Sequence, residues 1–211
     1  EAFATIAKAH AKGGTTSIVP STTTSSLQDL KNALAAFQQA LKMKNTGSRL
    51  LGMHLEGPYF APSQKGAQDI RFIKEPHKDE YLSILDSFPG IVRISAAPEL
   101  PGGLELGREL RRRGVLASIG HTDASYDEVL LAIEAGYSHV THLYSGMSGV
   151  HRVRAYRIAG VIESGLLLDD LTVEIIADGK HLPASLLKLI YKCKGPDRIA
   201  LCSDSLRAAG M

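Results

Sequence analysis

The sequence predicts a parallel α/β fold of the (β/α)8 TIM-barrel type, incomplete at about seven strands. Two observations carry the prediction. Strand-like and helix-like stretches alternate along the 211 residues, with no recurring hairpin signal between them; that order argues for parallel strands joined by helices. The residues capable of chemistry, namely Glu56, Glu99, His121, His142, Asp178 with His181, and Asp204, stand mostly at the C-terminal ends of predicted strands. A barrel collects its reacting groups from several strands on that face.

The chain opens in a helix whose apolar residues Ala2, Phe3, Ile6 and Ala9 follow helical spacing up to Gly13-Gly14. Thr15 to Pro20 is a β-branched strand with a polar exit from Ser21 to Ser26. Leu27, Leu30, Leu34, Phe37 and Leu41 repeat at three and four and predict a helix. The strand Arg49 to Glu56 stops at Gly57-Pro58, because proline cannot donate to a ladder. Alternation puts His54 and Glu56 on one face of it, and Met53 and Leu55 on the other. A long loop to about Pro76 follows, of a length usually functional or disordered in compact domains.

The second half repeats the order. His77 to Phe88 reads as helix, Ile91 to Ala97 as strand, Leu104 to Arg113 as helix closed by Gly114, and Val115 to Gly120 as strand. Ser125 caps a helix running to Ala135, with Glu128 completing a capping box. His139 to Leu143 is a short strand, and Tyr144 to Ala159 an irregular stretch. Leu171 to Ala177 is a strand, Pro183 to Tyr191 a helix with proline at its start, and Ile199 to Cys202 the last strand. Seven strands fall one short of a closed barrel. One domain over residues 1–211 is the simplest organisation for this length.

Composition excludes several classes. The 24 basic and 22 acidic residues nearly cancel, leaving a net charge of +2, which argues against a nucleic-acid or polyanion binder. The run Arg108, Arg111, Arg112, Arg113 lies late in a helix, where cations complement the dipole and face solvent. No apolar run approaches the roughly 20 residues that span a bilayer. The polar, helical N-terminus does not read as a signal peptide, and the two cysteines, Cys193 and Cys202, have no metal-type spacing. A reduced cytoplasmic protein is the expectation.

A carboxylate at a buried strand end needs a partner. Taken singly, Glu56 could cap a turn, and His121 or His142 could be a structural histidine. Taken together, one carboxylate and two imidazoles at three strand ends form the donor set of a catalytic Zn²⁺ or similar cation. Hydrolysis there also needs a base, and Asp204 is the candidate, with capping of a helix from Ser205 to Ala209 as the competing role. His181 could orient or polarise a scissile carbonyl, or simply bond back to Asp178. His54 reads as a support below Glu56 or a buried structural histidine.

The segments His54-Leu55-Glu56-Gly57-Pro58, Lys65-Gly66-Ala67, Ala97-Pro98-Glu99, Gly120-His121-Thr122, Thr141-His142-Leu143-Tyr144, Ala177 to His181 and Ser203-Asp204 occur in order along nearly the whole chain. Together they resemble the N-acetylglucosamine-6-phosphate deacetylases of the amidohydrolase superfamily. The resemblance implies a (β/α)8 barrel that hydrolyses the acetamide of an amino-sugar phosphate, giving glucosamine 6-phosphate and acetate. It implies one divalent metal on Glu56, His121 and His142, with Zn²⁺ preferred over Fe²⁺, Co²⁺ or Mn²⁺. It makes Asp204 the catalytic aspartate and His181 the histidine near the acetyl group. It places Gly66, Ala67 and Gln68, then Ser145 and Gly146, against the sugar, and Arg157, with Arg152 and Arg154 as alternatives, at the phosphate. It also implies a homodimer.

Departures from that pattern set further expectations. Gln68 stands where the family has histidine, and Ser145-Gly146 where it has Asn-Ala. The first barrel strand, with its His-x-His pair, and the small β-domain are missing from this stretch, which implies a core truncated at both ends and no second metal. Two other readings follow: an amidohydrolase of another N-acyl amine, or a non-catalytic barrel that associates through its open edges.

Overall fold

A computed structural model describes residues 1–44, 46–206 and 209. The strands are β1 Ser17–Ile18, β2 Ser21–Thr22, β3 Arg49–Leu50, β4 Met53–Glu56, β5 Ile91–Ala96, β6 Leu116–Ile119, β7 Tyr137–Val140, β8 His151–Val153, β9 Tyr156–Ile158, β10 Thr172–Ile176 and β11 Ile199–Cys202. The α-helices are α1 Ala2–Lys12, α2 Leu27–Leu41, α3 Lys78–Ser87, α4 Gly103–Arg113, α5 Tyr126–Ala135, α6 Val161–Leu167 and α7 Ala184–Lys194.

Seven strands form one parallel sheet in the order β11-β10-β7-β6-β5-β4-β2, and β1 pairs with β3 below its β2 end. The sheet is strongly curled. In a flat sheet β5 and β10, three strands apart, would lie about 14 Å from each other. Here Arg93 of β5 reaches Glu174 of β10 at 2.9 Å. The result is an open barrel of seven strand positions, with β2 and β11 as its two edges and both lining one cavity of about 450 Å³.

Alternation divides each strand between two environments. Met53 and Leu55 of β4, Ile94 and Ala96 of β5, Ala117 and Ile119 of β6, and Val173 and Ile175 of β10 belong to the apolar layer under the helices. There Phe37 of α2 meets Phe3 and Phe88 edge to face, with ring centroids 5.1 and 5.9 Å apart. The opposite faces carry His54, Glu56, Arg93, Ser95, Ser118 and Glu174, so the barrel interior is polar and hydrogen-bonded. His54 Nε2 meets Ser95 Oγ at 2.7 Å, and Thr141 Oγ1 is 2.6 Å from both Ser95 Oγ and Ser118 Oγ.

Local chemistry explains most boundaries. Ser26 caps α2 by accepting from Asp29 N, and the expected Ser125–Glu128 capping box starts α5. Gly57 exits β4 at φ +87°, and a Cβ there would stand 2.3 Å from Thr24 Oγ1, so only glycine fits.

The structure departs from expectation at several points, among them the strand Arg49 to Glu56, which is broken between Leu50 and Met53. The strand Thr15 to Pro20 is split around Pro20, which has no N–H to give, and pairing resumes at Ser21–Thr22 in the supposed exit. The strand expected to reach Leu143 ends at Val140, leaving His142 in a turn. The irregular stretch holds an antiparallel hairpin, β8–β9, turned at Arg154 with φ 57°. Helix α6 was not expected. It has seven residues and an internal glycine, and it is held from outside by Ser148, whose Oγ accepts from Val161 N. The helix expected from Ser205 to Ala209 includes Arg207 and Ala208, which lie outside the described residues. Among the described residues no helix is long and apolar enough to cross a membrane.

Candidate metal and catalytic site

Glu56 ends β4, His121 follows β6 and His142 follows β7, and curling brings them together. All three are buried, and their ligand atoms lie within 4.8 Å of one another. Glu56 Oε1 is 3.1 Å from His121 Nε2 and 3.2 Å from His142 Nε2. His121 and His142 both have positive φ, 50° and 31°, as does Asp204 at 44°. Non-glycine residues avoid this region, and strain of this kind gathers at functional sites.

The donor chemistry fits a cation. His121 Nδ1 lies 2.7 Å from the main-chain carbonyl of Gln64, which can only accept, so Nδ1 carries the proton. In the neutral ring Nε2 then presents a lone pair to the lone pairs of a carboxylate. A four-coordinate metal with ligands at roughly 2.0 Å spaces its donors roughly 3.3 Å apart, close to the two distances here. Burial opposes ionisation of Glu56, but the two flanking imidazoles, His121 and His142, outweigh it and hold the carboxyl below its usual range. Burial likewise opposes charging of His142, and Glu56 with Asp204 reverses this and raises its pKa. Among the described residues, Nδ1 of His142 is buried without a hydrogen-bond partner.

Gly146 forms part of the wall behind His121. It has φ +57°, and a Cβ there would sit 2.9 Å from His121 Nδ1 and 3.2 Å from the Gln64 carbonyl. Gly146→Ala is therefore expected to push on that hydrogen bond and weaken Zn²⁺ binding about tenfold. A competition titration with a chromophoric chelator checks this, and unchanged affinity would show that the wall yields.

Asp204, just beyond β11, lines the cavity with Glu56 and His142. Burial and the nearby Glu56 charge raise its pKa, against His142 and His181. His181 lies outside the cavity lining, in the half-exposed turn after β10, with Nδ1 2.9 Å from Asp178 Oδ2. His181 N and Lys180 N also donate to that carboxylate, which is held at about 2 by those contacts. His54 is buried, and its pKa is pushed down to about 3 by burial and by Arg93.

The remaining candidates surround the site. Gly66 packs on the His121 ring edge, and Ala67 beside it is exposed. Gln68 is buried, its Oε1 accepting from Thr24 N at 2.8 Å, which ties the long loop to the exit of β2. Ser145 and Gly146 are half-buried in the turn after His142. Arg152, Arg154 and Arg157 are exposed on the hairpin, where Arg152 pairs with Arg157 in register.

Sequence reasoning missed Gln64, because any residue type supplies a carbonyl. It also passed over Arg93 and Glu174, although a polar residue inside an apolar strand was a usable signal.

A curled parallel sheet with an oxygen-and-nitrogen donor cluster at its C-terminal strand ends places the chain with the barrel proteins that can hold a cation on that face. Residues 1–210 match the amidohydrolase family, and the chain belongs to it. It is 37% identical over 204 residues to an N-acetylglucosamine-6-phosphate deacetylase of Bacillus subtilis (strain 168), covering 94% of this chain and 50% of that protein. An N-acetylgalactosamine-6-phosphate deacetylase of Escherichia coli O157:H7 is 33% identical over 207 residues, covering 98% and 54%. Among solved structures, a mutant N-acetyl-D-glucosamine-6-phosphate deacetylase from Mycobacterium smegmatis, in complex with N-acetyl-D-glucosamine-6-phosphate, superposes with a TM-score of 0.85 at 30% identity. That match covers 93% of this chain and 50% of the other. The chain thus spans about half the length of these relatives.

Proposed function

We propose that residues 1–211 form the catalytic core of a deacetylase that hydrolyses N-acetylglucosamine 6-phosphate to glucosamine 6-phosphate and acetate. The observation that carries this reading is the convergence of Glu56, His121 and His142 beside Asp204. One carboxylate and two imidazoles suit Zn²⁺ first, with Fe²⁺, Co²⁺ or Mn²⁺ as alternatives. When bound, such an ion supplies Lewis acidity toward water and the acetamide carbonyl.

The chain's own groups do the rest. Asp204, ionised, takes the proton of the attacking water and returns it to the departing amine nitrogen as the C–N bond breaks. The elevated pKa given it by burial and Glu56 favours that return. Asp178 accepts from His181 Nδ1 and so holds the ring at the end of β10, from which it orients the acetyl carbonyl. The Gly66 to Gln68 loop and Ser145-Gly146 flank the sugar, and Arg157 of the hairpin, or Arg152 or Arg154, takes the phosphate in a homodimer. Localisation in the cytoplasm accords with this metabolic role.

Acetate release by the Zn²⁺-loaded protein tests the reading, and a loaded protein that releases none would overturn it. Asp204→Asn is expected to lower kcat about 10²–10⁴-fold with metal content unchanged. The 33% identity to a relative named for the galactosamine substrate favours one alternative, the other sugar epimer. Assaying both epimers side by side decides between them.

A further inference from the structure

The structure assigns Asp123 a positioning role: through Gln64 it fixes the ring orientation and tautomer of His121. This rests on the metal-site reading above. His121 owes its protonated Nδ1 to the carbonyl of Gln64, 2.7 Å away. That carbonyl sits at the end of a short 3-10 turn, Pro62–Gln64, within an irregular loop. Within that turn Gln64 N donates to Ala61 O at 3.0 Å. Something must hold the turn in place, and Asp123 does so with both carboxylate oxygens. Oδ1 accepts from Gln64 Nε2 at 2.5 Å, and Oδ2 accepts from Ser63 Oγ.

Asp123 is itself anchored. Its backbone N donates to Glu99 Oε1 at 2.7 Å, and Thr122 Oγ1 donates to Glu99 Oε2 at 2.6 Å. Ala61 N closes the circuit by donating to His121 O at 2.8 Å. The residues after β5, the residues after β6 and the long loop are therefore joined around one ligand. Partners that orient a ligating histidine set its basicity and tautomer, and losing one typically costs about 10–100-fold in metal affinity.

The test uses the 211-residue chain, with Zn²⁺ as the probe. In Asp123→Ala, Zn²⁺ affinity should fall about tenfold or more. In the metal-free chain the ¹⁵N signature of His121 should shift from Nδ1–H toward a mixture of tautomers, which a merely stabilising contact would not cause. Asp123→Asn, which keeps one acceptor oxygen, should recover part of both. If Asp123→Ala does not fold, the double variant Ser63→Ala/Gln64→Ala removes the same two bonds while keeping the main-chain carbonyl, and should reproduce the loss. Wild-type affinity and tautomer in these variants would overturn the assignment alone, provided His121→Ala abolishes binding. A wild-type chain that binds no Zn²⁺ would overturn the metal reading and this assignment together.

Discussion

Glu56→Gln is expected to lower Zn²⁺ affinity by more than the roughly hundredfold that loss of a supporting partner can cost, because it alters a ligand rather than its support. The carboxylate is the only anionic member of the trio and is 6% exposed. Its replacement removes charge that water cannot make up. A second effect acts in the same direction. The amide could turn its NH₂ toward His121 Nε2, satisfying a lone pair that otherwise faces a carboxylate at 3.1 Å. The metal-free site gains while the loaded one loses. A chelator competition titration reads both, and near-native affinity in the variant would remove Glu56 from the ligand set.

Arg93→Met should destabilise the fold by about 3–5 kcal/mol, the usual cost of stranding one member of a buried ion pair. Side chains of Arg93 and Glu174 are 16% and 8% exposed and meet at 2.9 Å across the barrel interior. The double variant Arg93→Met/Glu174→Leu should recover much of the loss, since the pair's worth lies in mutual satisfaction rather than net stabilisation. Burial opposes ionisation of Glu174, but His139 and Arg93 outweigh it and hold the carboxyl at about 2, below its ordinary 4.5. Its folded pKa is depressed, so its contribution is fully present above the ordinary value and is lost as pH falls toward about 2. That contribution amounts to about 3 kcal/mol. Urea unfolding at pH 7 and pH 3 should show a steeper acid loss in the wild type than in Glu174→Gln. Equal pH dependence would place the stabilising charge elsewhere.

Much of the architecture is legible in the sequence. Alternation in Met53-His54-Leu55-Glu56 separated the faces of β4, and the Gly57-Pro58 stop located its end. The elements that escaped lack a local signal. Helix α6 is too short for its periodicity to count and depends on Ser148, a residue outside it. The β8–β9 hairpin turns on Arg154, not on the glycine or asparagine that usually marks such a turn.

Glu56, His121 and His142 were identifiable as a donor set because strand ends in a parallel barrel converge, so order along the chain implied proximity in space. The residue types at the site and the alternating fold could thus be read along the chain. How those residues are used depends on the folded packing. The degree of curl sets the distances at Glu56. The carbonyl of Gln64 selects the tautomer of His121. Arg93 finds Glu174 81 positions away along the chain, and Gln68 gives its acceptor oxygen to Thr24. The physical reason is common to all four. Periodicity and propensity are local properties of a chain, whereas a hydrogen-bond partner is chosen by whatever the folded backbone brings within about 3 Å.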